Sequence, residues 1–237
     1  MTGETSATAT PARKVVVIGW DGANFDLAQR WADEGLLPNL ARLRAAGVHG
    51  TLRSTMPPIS APAWASFATG NNPGRHGIYY FKEHVDGTYD TRLVRGTDRR
   101  GETLWEMLNR QGRKAGVVNL PMTYPPQPLD GFLIAGLDTP GDASAYTYPE
   151  SLKAEMLGRL GEYHVELTLF EESRTGHYDK VWSKISANLE NRIEAVRYLF
   201  NEKEWDFFVV NFRATDSVQH HFWKFFEPSH PQYDADL

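Results

Sequence analysis

An α/β fold, with a mostly parallel central sheet and helices on both faces, is the class the sequence predicts. Three observations carry it. Short apolar or β-branched runs (VVVIGW, KAGVVNLP, GFLIAG, DFFVVNF) alternate with stretches of helical periodicity. The last of these runs is too apolar for a half-exposed strand and reads as a central parallel one. Across the 237 residues, 41% are hydrophobic and 23% charged, which is ordinary globular composition.

Taken in order, residues 1–13 (MTGETSATATPAR) are polar and low in complexity, and predict a disordered tail ahead of one α/β domain over 14–237. Lys14 opens VVVIGWDG, expected as a buried strand ending in a turn. FDLAQRWADEG and PNLARLRAAG predict helices closed by glycine, and VHGTLRST predicts another strand. ETLWEMLNRQG reads as a helix, KAGVVNLP and GFLIAGLD as strands, and TYPPQPLDG and DTPGDASAYTYP as loops. The longest helix is expected over 178–203, with Trp182, Ile185, Leu189, Ile193 and Val196 on one face. DFFVVNF supplies the central strand, and PQYDADL reads as a starting helix. No internal repeat is seen.

Net charge is −5 and no basic cluster occurs, so nothing predicts nucleic-acid binding. With no cysteine, disulfides and thiolate metal sites are excluded, and a metal would need Asp, Glu, His, hydroxyl or backbone oxygen donors. No stretch approaches the roughly 18 apolar residues of a membrane span, and the N-terminus lacks the apolar core of a signal peptide. A cytoplasmic protein is expected.

Asp21 follows VVVIGW directly, at the sheet edge where ligands of open α/β folds gather. An Asx turn explains it equally well. A dinucleotide fingerprint is absent around Gly19, and the second aspartate of a haloacid-dehalogenase-type phosphatase is replaced by Ala23. Asp216 lies past DFFVVNFRAT, with His220 four residues on. On a helix that spacing puts both side chains on one face, as half of a site for a hard or borderline cation. A helix cap with a packed or solvated histidine is the plainer reading. His221 points about 100° away from His220 on such a helix, and His230 sits in a turn, so solvated surface roles are expected for both. Ser60 follows two prolines and precedes APAWASFATG. It reads as an N-cap, or as a hydroxyl placed where free N–H groups and the helix dipole favour phosphate and alkoxide. Serine needs an adjacent base or metal to attack.

In this order VVVIGWDG, PPISAPAWASFATGNNPGRHGIY, LPMTYPP and ATDSVQHHFW resemble the alkaline phosphatase superfamily. Within it they look like the type I phosphodiesterase and nucleotide pyrophosphatase branch, and most like its bacterial predicted phosphohydrolase/phosphomutase members. The resemblance runs from about Lys14 to the end of the chain. It implies an alkaline phosphatase-like sheet and a metal-dependent phosphohydrolase or phosphodiesterase acting on small phosphate esters through a phosphoserine at Ser60. It implies two divalent cations, zinc or manganese, one held by Asp21 and Ser60, the other by Asp216 and His220. A homo-oligomer is compatible with it.

The sequence departs from the family pattern in three places. Ser60 stands where nucleotide pyrophosphatases generally have threonine, and Phe81 where they have an asparagine for a phosphate oxygen. The D-H-G motif with further ligands is absent, so the chain is expected to be an N-terminal portion, its C-terminal part missing, with about half of each metal site. A sulfatase is disfavoured because Ser60-Ala-Pro-Ala-Trp lacks that branch's arginine. A phosphomutase, or an inactive binding domain with an exposed apolar sheet edge, is the alternative.

Overall fold

The computed structural model describes residues 14–234. The expectations for 1–13 and for the last three residues fall outside the described residues. β1 (Val15–Trp20) leads into a pair of helices, α1 (Phe25–Asp33) and α2 (Pro38–Ala46). An irregular segment then delivers α3 (Ser60–Thr69) and the single turn α4 (Pro73–His76). β2 (Lys82–His84) and β3 (Thr91–Leu93) form a small antiparallel ribbon. α5 (Leu104–Asn109), β4 (Ala115–Leu120), β5 (Gly131–Ala135) and β6 (Thr147–Tyr148) follow. The last elements are α6 (Ser151–Leu160), α7 (Phe170–Arg174), α8 (Tyr178–Glu202), β7 (Phe207–Phe212) and α9 (Ala214–Phe226).

The main sheet has the order β1-β7-β4-β5-β6, parallel from β1 to β5, with β6 antiparallel at the far edge. β7 has a parallel neighbour on each side, which is why FFVVN can be fully buried. Every residue of β4 is buried as well. Two helical groups surround the sheet: α3 packs with α4 and α5, whereas α8 packs with α6, α7, α9 and β7. Because the strands are parallel, the ends of β1, β7, β4 and β5 open on one edge, and that edge carries the site.

Four expectations need correction. β1 is not a central buried strand. Among the described residues it pairs with β7 alone, and Val15, Val16, Ile18 and Trp20 stay exposed, Ile18 at 61%. An apolar run therefore marks a strand here without marking its burial. VHGTLRST forms no strand; it finds no ladder partner, and Val48 and Leu52 lie in the open. In α8 the buried stripe is Val181, Ile185, Arg192, Ala195 and Leu199. Trp182 instead lies outside that stripe, edge-to-face against Phe222 of α9. Finally, residues 231–234 make a turn rather than a helix start, with the Asp234 N–H donating to the Phe225 carbonyl.

Candidate active site

β1 ends at Trp20, and Asp21 opens the turn toward α1. That turn is tied to β7 and α9. The Asp21 N–H donates to the Phe212 carbonyl at 2.9 Å, and Thr215 Oγ1 donates to the Asp21 carbonyl at 2.6 Å. Gly22 has φ +68°, a left-handed conformation that glycine adopts freely, and a Cβ there would lie 3.0 Å from Asp216 Cα. The turn and the start of α9 thus meet backbone to backbone.

Ser60 is the first residue inside α3, and the flanking Ile59 makes no side-chain cap. The N-cap reading of Ser60 is therefore corrected, and its hydroxyl is free for another partner. It donates to Asp21 Oδ1 at 2.9 Å. One turn along α3, Trp64 Nε1–H donates to Asp21 Oδ2 at 3.1 Å, and Asn211 Nδ2 donates to the same oxygen at 3.3 Å. Asp21, only 7% exposed, thereby accepts three hydrogen bonds and has its orientation fixed. Pro62 has no N–H to offer. The Ser60 and Ala61 N–H groups have no backbone acceptor among the described residues, so two donors at the positive end of α3 stand beside the hydroxyl.

Asp216 lies in the first turn of α9 and His220 in the next, with His220 Nε2 3.3 Å from Asp216 Oδ1. Arg213 Nε approaches Asp216 Oδ2 at 3.5 Å, and Arg213 also pairs with Glu166. Burial pushes the Asp216 carboxyl above its usual range; His220 and Arg213 work against that, while the charge of Asp21 adds to it. A pocket of about 330 Å³ opens here, lined by Gly22, Asp216, Gln219, His220 and Trp223. His221 is not a solvated surface group: its Nδ1 meets Ser173 Oγ at 3.0 Å, joining α9 to α7, and burial lowers its pKa. His230 is exposed, as expected.

All four residues singled out by sequence thus gather at one sheet edge, as two pairs: Ser60 with Asp21, and Asp216 with His220. Carboxylate and imidazole suit a divalent cation, and Asp216 with His220 fit part of its coordination shell. Among the described residues, however, no three of His, Cys, Asp and Glu come together as a cation site. Two donors to Asp21 were not foreseen in that role: Asn211, and Trp64, which reads from sequence as a pocket wall or core packing. The signal for Asn211 was visible as a lone amide inside an otherwise apolar strand. Trp64 sits one helical turn from Ser60, but its partner is set by tertiary packing. Phe81 packs beside the cluster of Ala61, Ala65, Ile78, Val94 and Met122, and Tyr79 and Tyr80 are exposed.

A mostly parallel sheet whose open edge joins a helix-start hydroxyl to a strand-end carboxylate defines an α/β protein that carries its candidate site at the strand ends. The model of the type I phosphodiesterase / nucleotide pyrophosphatase family matches residues 15–236, and the chain belongs to that family. Two solved structures of phosphonoacetate hydrolase from Sinorhizobium meliloti 1021 share the fold. The complex with phosphonoacetate aligns with a TM-score of 0.58 at 18% identity, covering 94% of this chain and 50% of that one. The complex with phosphonoformate gives 0.59 at 18% identity, with the same coverage. The chain spans about half the length of these solved relatives. No curated protein matches it significantly. Among the described residues, no helix is long and apolar enough to cross a membrane.

Proposed function

We propose that the protein is a phosphohydrolase that cleaves small phosphate esters by attack of Ser60 on phosphorus. The observation that carries this reading is the Ser60 Oγ–H donating to Asp21 Oδ1 at 2.9 Å, at the N-terminus of α3. The substrate's phosphoryl oxygens take the free N–H groups of Ser60 and Ala61. Ser60 Oγ forms the bond to phosphorus as the ester oxygen departs on the opposite side; the hydroxyl proton passes to Asp21 Oδ1, and water protonates the leaving oxygen. Water then attacks the phosphoserine, gives a proton back to Ser60 Oγ by way of Asp21, and releases phosphate. Asp21, and Asp216 with His220, are the residues that would hold divalent cations, whose charge would favour the serine alkoxide and the phosphoryl oxygens. Phosphonoacetate and phosphonoformate, named with the two solved relatives, share an anionic phosphoryl group with such esters, which supports a phosphorus-centred substrate.

Hydrolysis of an aryl phosphodiester, with and without zinc or manganese, tests the reading. Ser60→Ala is expected to lose at least about 10³-fold in kcat, as removal of a nucleophile does; retained turnover defeats the assignment. Bound metal is expected to fall in an Asp216→Ala/His220→Ala variant, and unchanged metal content removes those two as ligands. A second reading, a binding domain without turnover, is favoured by the exposed apolar edge of β1. Its signature is a wild-type chain inactive with every cation tried.

A further inference from the structure

We infer that Asn211 is a positioning residue that aims the Asp21 carboxylate at Ser60, an inference that rests on the reading of Ser60 as nucleophile. Asn211 is 1% exposed, within a strand whose Phe208, Val209 and Val210 are equally buried. A buried amide in such a setting is destabilising unless its polar atoms are matched. Here only one side is. Nδ2 donates to Asp21 Oδ2, whereas Oδ1 has no hydrogen-bond partner among the described residues. An apolar side chain would suit the core better, so packing alone does not account for the amide.

The register shows why it can hold Asp21. Gly19 of β1 pairs with Asn211 of β7, so their side-chain directions share one face, and Asp21 lies two residues beyond Gly19 on that face. The Gly19 position carries no side chain because Trp64 fills the space: a Cβ there would stand 2.4 Å from Trp64 Cη2. Asn211 and Trp64 therefore converge on Asp21 from two elements, β7 and α3, and both present donors to Oδ2. Since a carboxylate only accepts, the amide orientation is settled, with Nδ2 toward Asp21. With Oδ2 held twice, Oδ1 is left facing the Ser60 hydroxyl. The role is conferred by a strand neighbour distant in sequence, and it is separate from contact with substrate.

Asn211→Val keeps a β-forming side chain of suitable bulk but removes the donor. It is expected to lower kcat about 10–100-fold, the usual effect of losing a partner that orients a ligand or catalytic group, with KM little changed and the thermal midpoint held or raised. A purely structural asparagine would instead lose stability and activity together. Asn211→Ser, which restores a donor, is expected to recover part of kcat; Asn211→Ala serves if valine proves too large to fold. A second readout does not need turnover. Of the seven tryptophans, the indole N–H resonance of Trp64, assigned by Trp64→Phe, is expected to shift in Asn211→Val as Asp21 moves. A kcat within twofold of wild type and an unmoved Trp64 resonance would overturn the inference. If the wild-type chain shows no turnover, the proposed activity fails, and the indole resonance alone decides the positioning role.

Discussion

His76 is fully buried, and each of its ring nitrogens has a job. Nδ1 accepts the Ile78 N–H at 3.0 Å, which places the proton on Nε2, 2.9 Å from Ser66 Oγ. The imidazole thereby ties α4 to the middle of α3, the helix that Ser60 begins. Burial is the main cause of its lowered pKa. A native pKa below the unfolded value means the unfolded chain binds the proton first. The resulting stabilisation is complete above about pH 6.5 and is lost as pH falls through the lower native value. His76→Gln is expected to flatten the pH dependence of urea-unfolding free energy on the acid side, and an unchanged slope would show that His76 does not titrate on unfolding. Asp21, Ser60 and Asp216 could be picked out from sequence because each stands at a strand end or helix start, where backbone geometry alone selects polar residues, and His220 because it follows Asp216 by four residues. The partners of Trp64 and Asn211 could not, since each meets Asp21 only through the packing of α3 and β7 around β1.

At the level of elements, α9 does two things at once. It carries Asp216 and His220, and it clamps the turn after β1 through Thr215 Oγ1 and through the Gln219 amide, which donates to the Gly22 carbonyl. Gly22 is the point of closest approach. Gly22→Ala introduces a side chain at φ +68° and pushes on Asp216. It is expected to destabilise the fold by about 1–2 kcal/mol and to weaken zinc or manganese binding, measured by titration calorimetry; undiminished affinity would separate the turn from the Asp216/His220 pair. Helices with clear punctuation were legible: α1, α2, α5 and α8 lie where their glycines and periodicity put them. The strand expected at VHGTLRST shows the limit of that method. β propensity identifies a segment that could pair, but the presence of a partner is a property of the fold.

On the scale of the whole molecule, β1 pairs on one side only among the described residues, with Val16 and Ile18 exposed and no charged side chain within the strand. Such an edge is a template for pairing with another chain. Concentration-dependent self-association is expected in analytical ultracentrifugation, and Ile18→Lys is expected to shift the population toward monomer. An identical sedimentation profile for the two proteins would assign any association to another surface.

The placement of β7 beside β1 also has a consequence for biosynthesis. Asp21 and Asn211 are separated by 190 positions in the chain, and Asp21 and Thr215 by 194. At about 5–20 residues per second, a ribosome takes on the order of 10–40 s to supply Asn211 after Asp21 has been made. Through that interval β1 has emerged without its partner strand, and the Asp21 carboxylate lacks the Asn211 donor. These two segments meet late, so the candidate site is completed only after β7 is made, and a chaperone would meet β1 before it is paired.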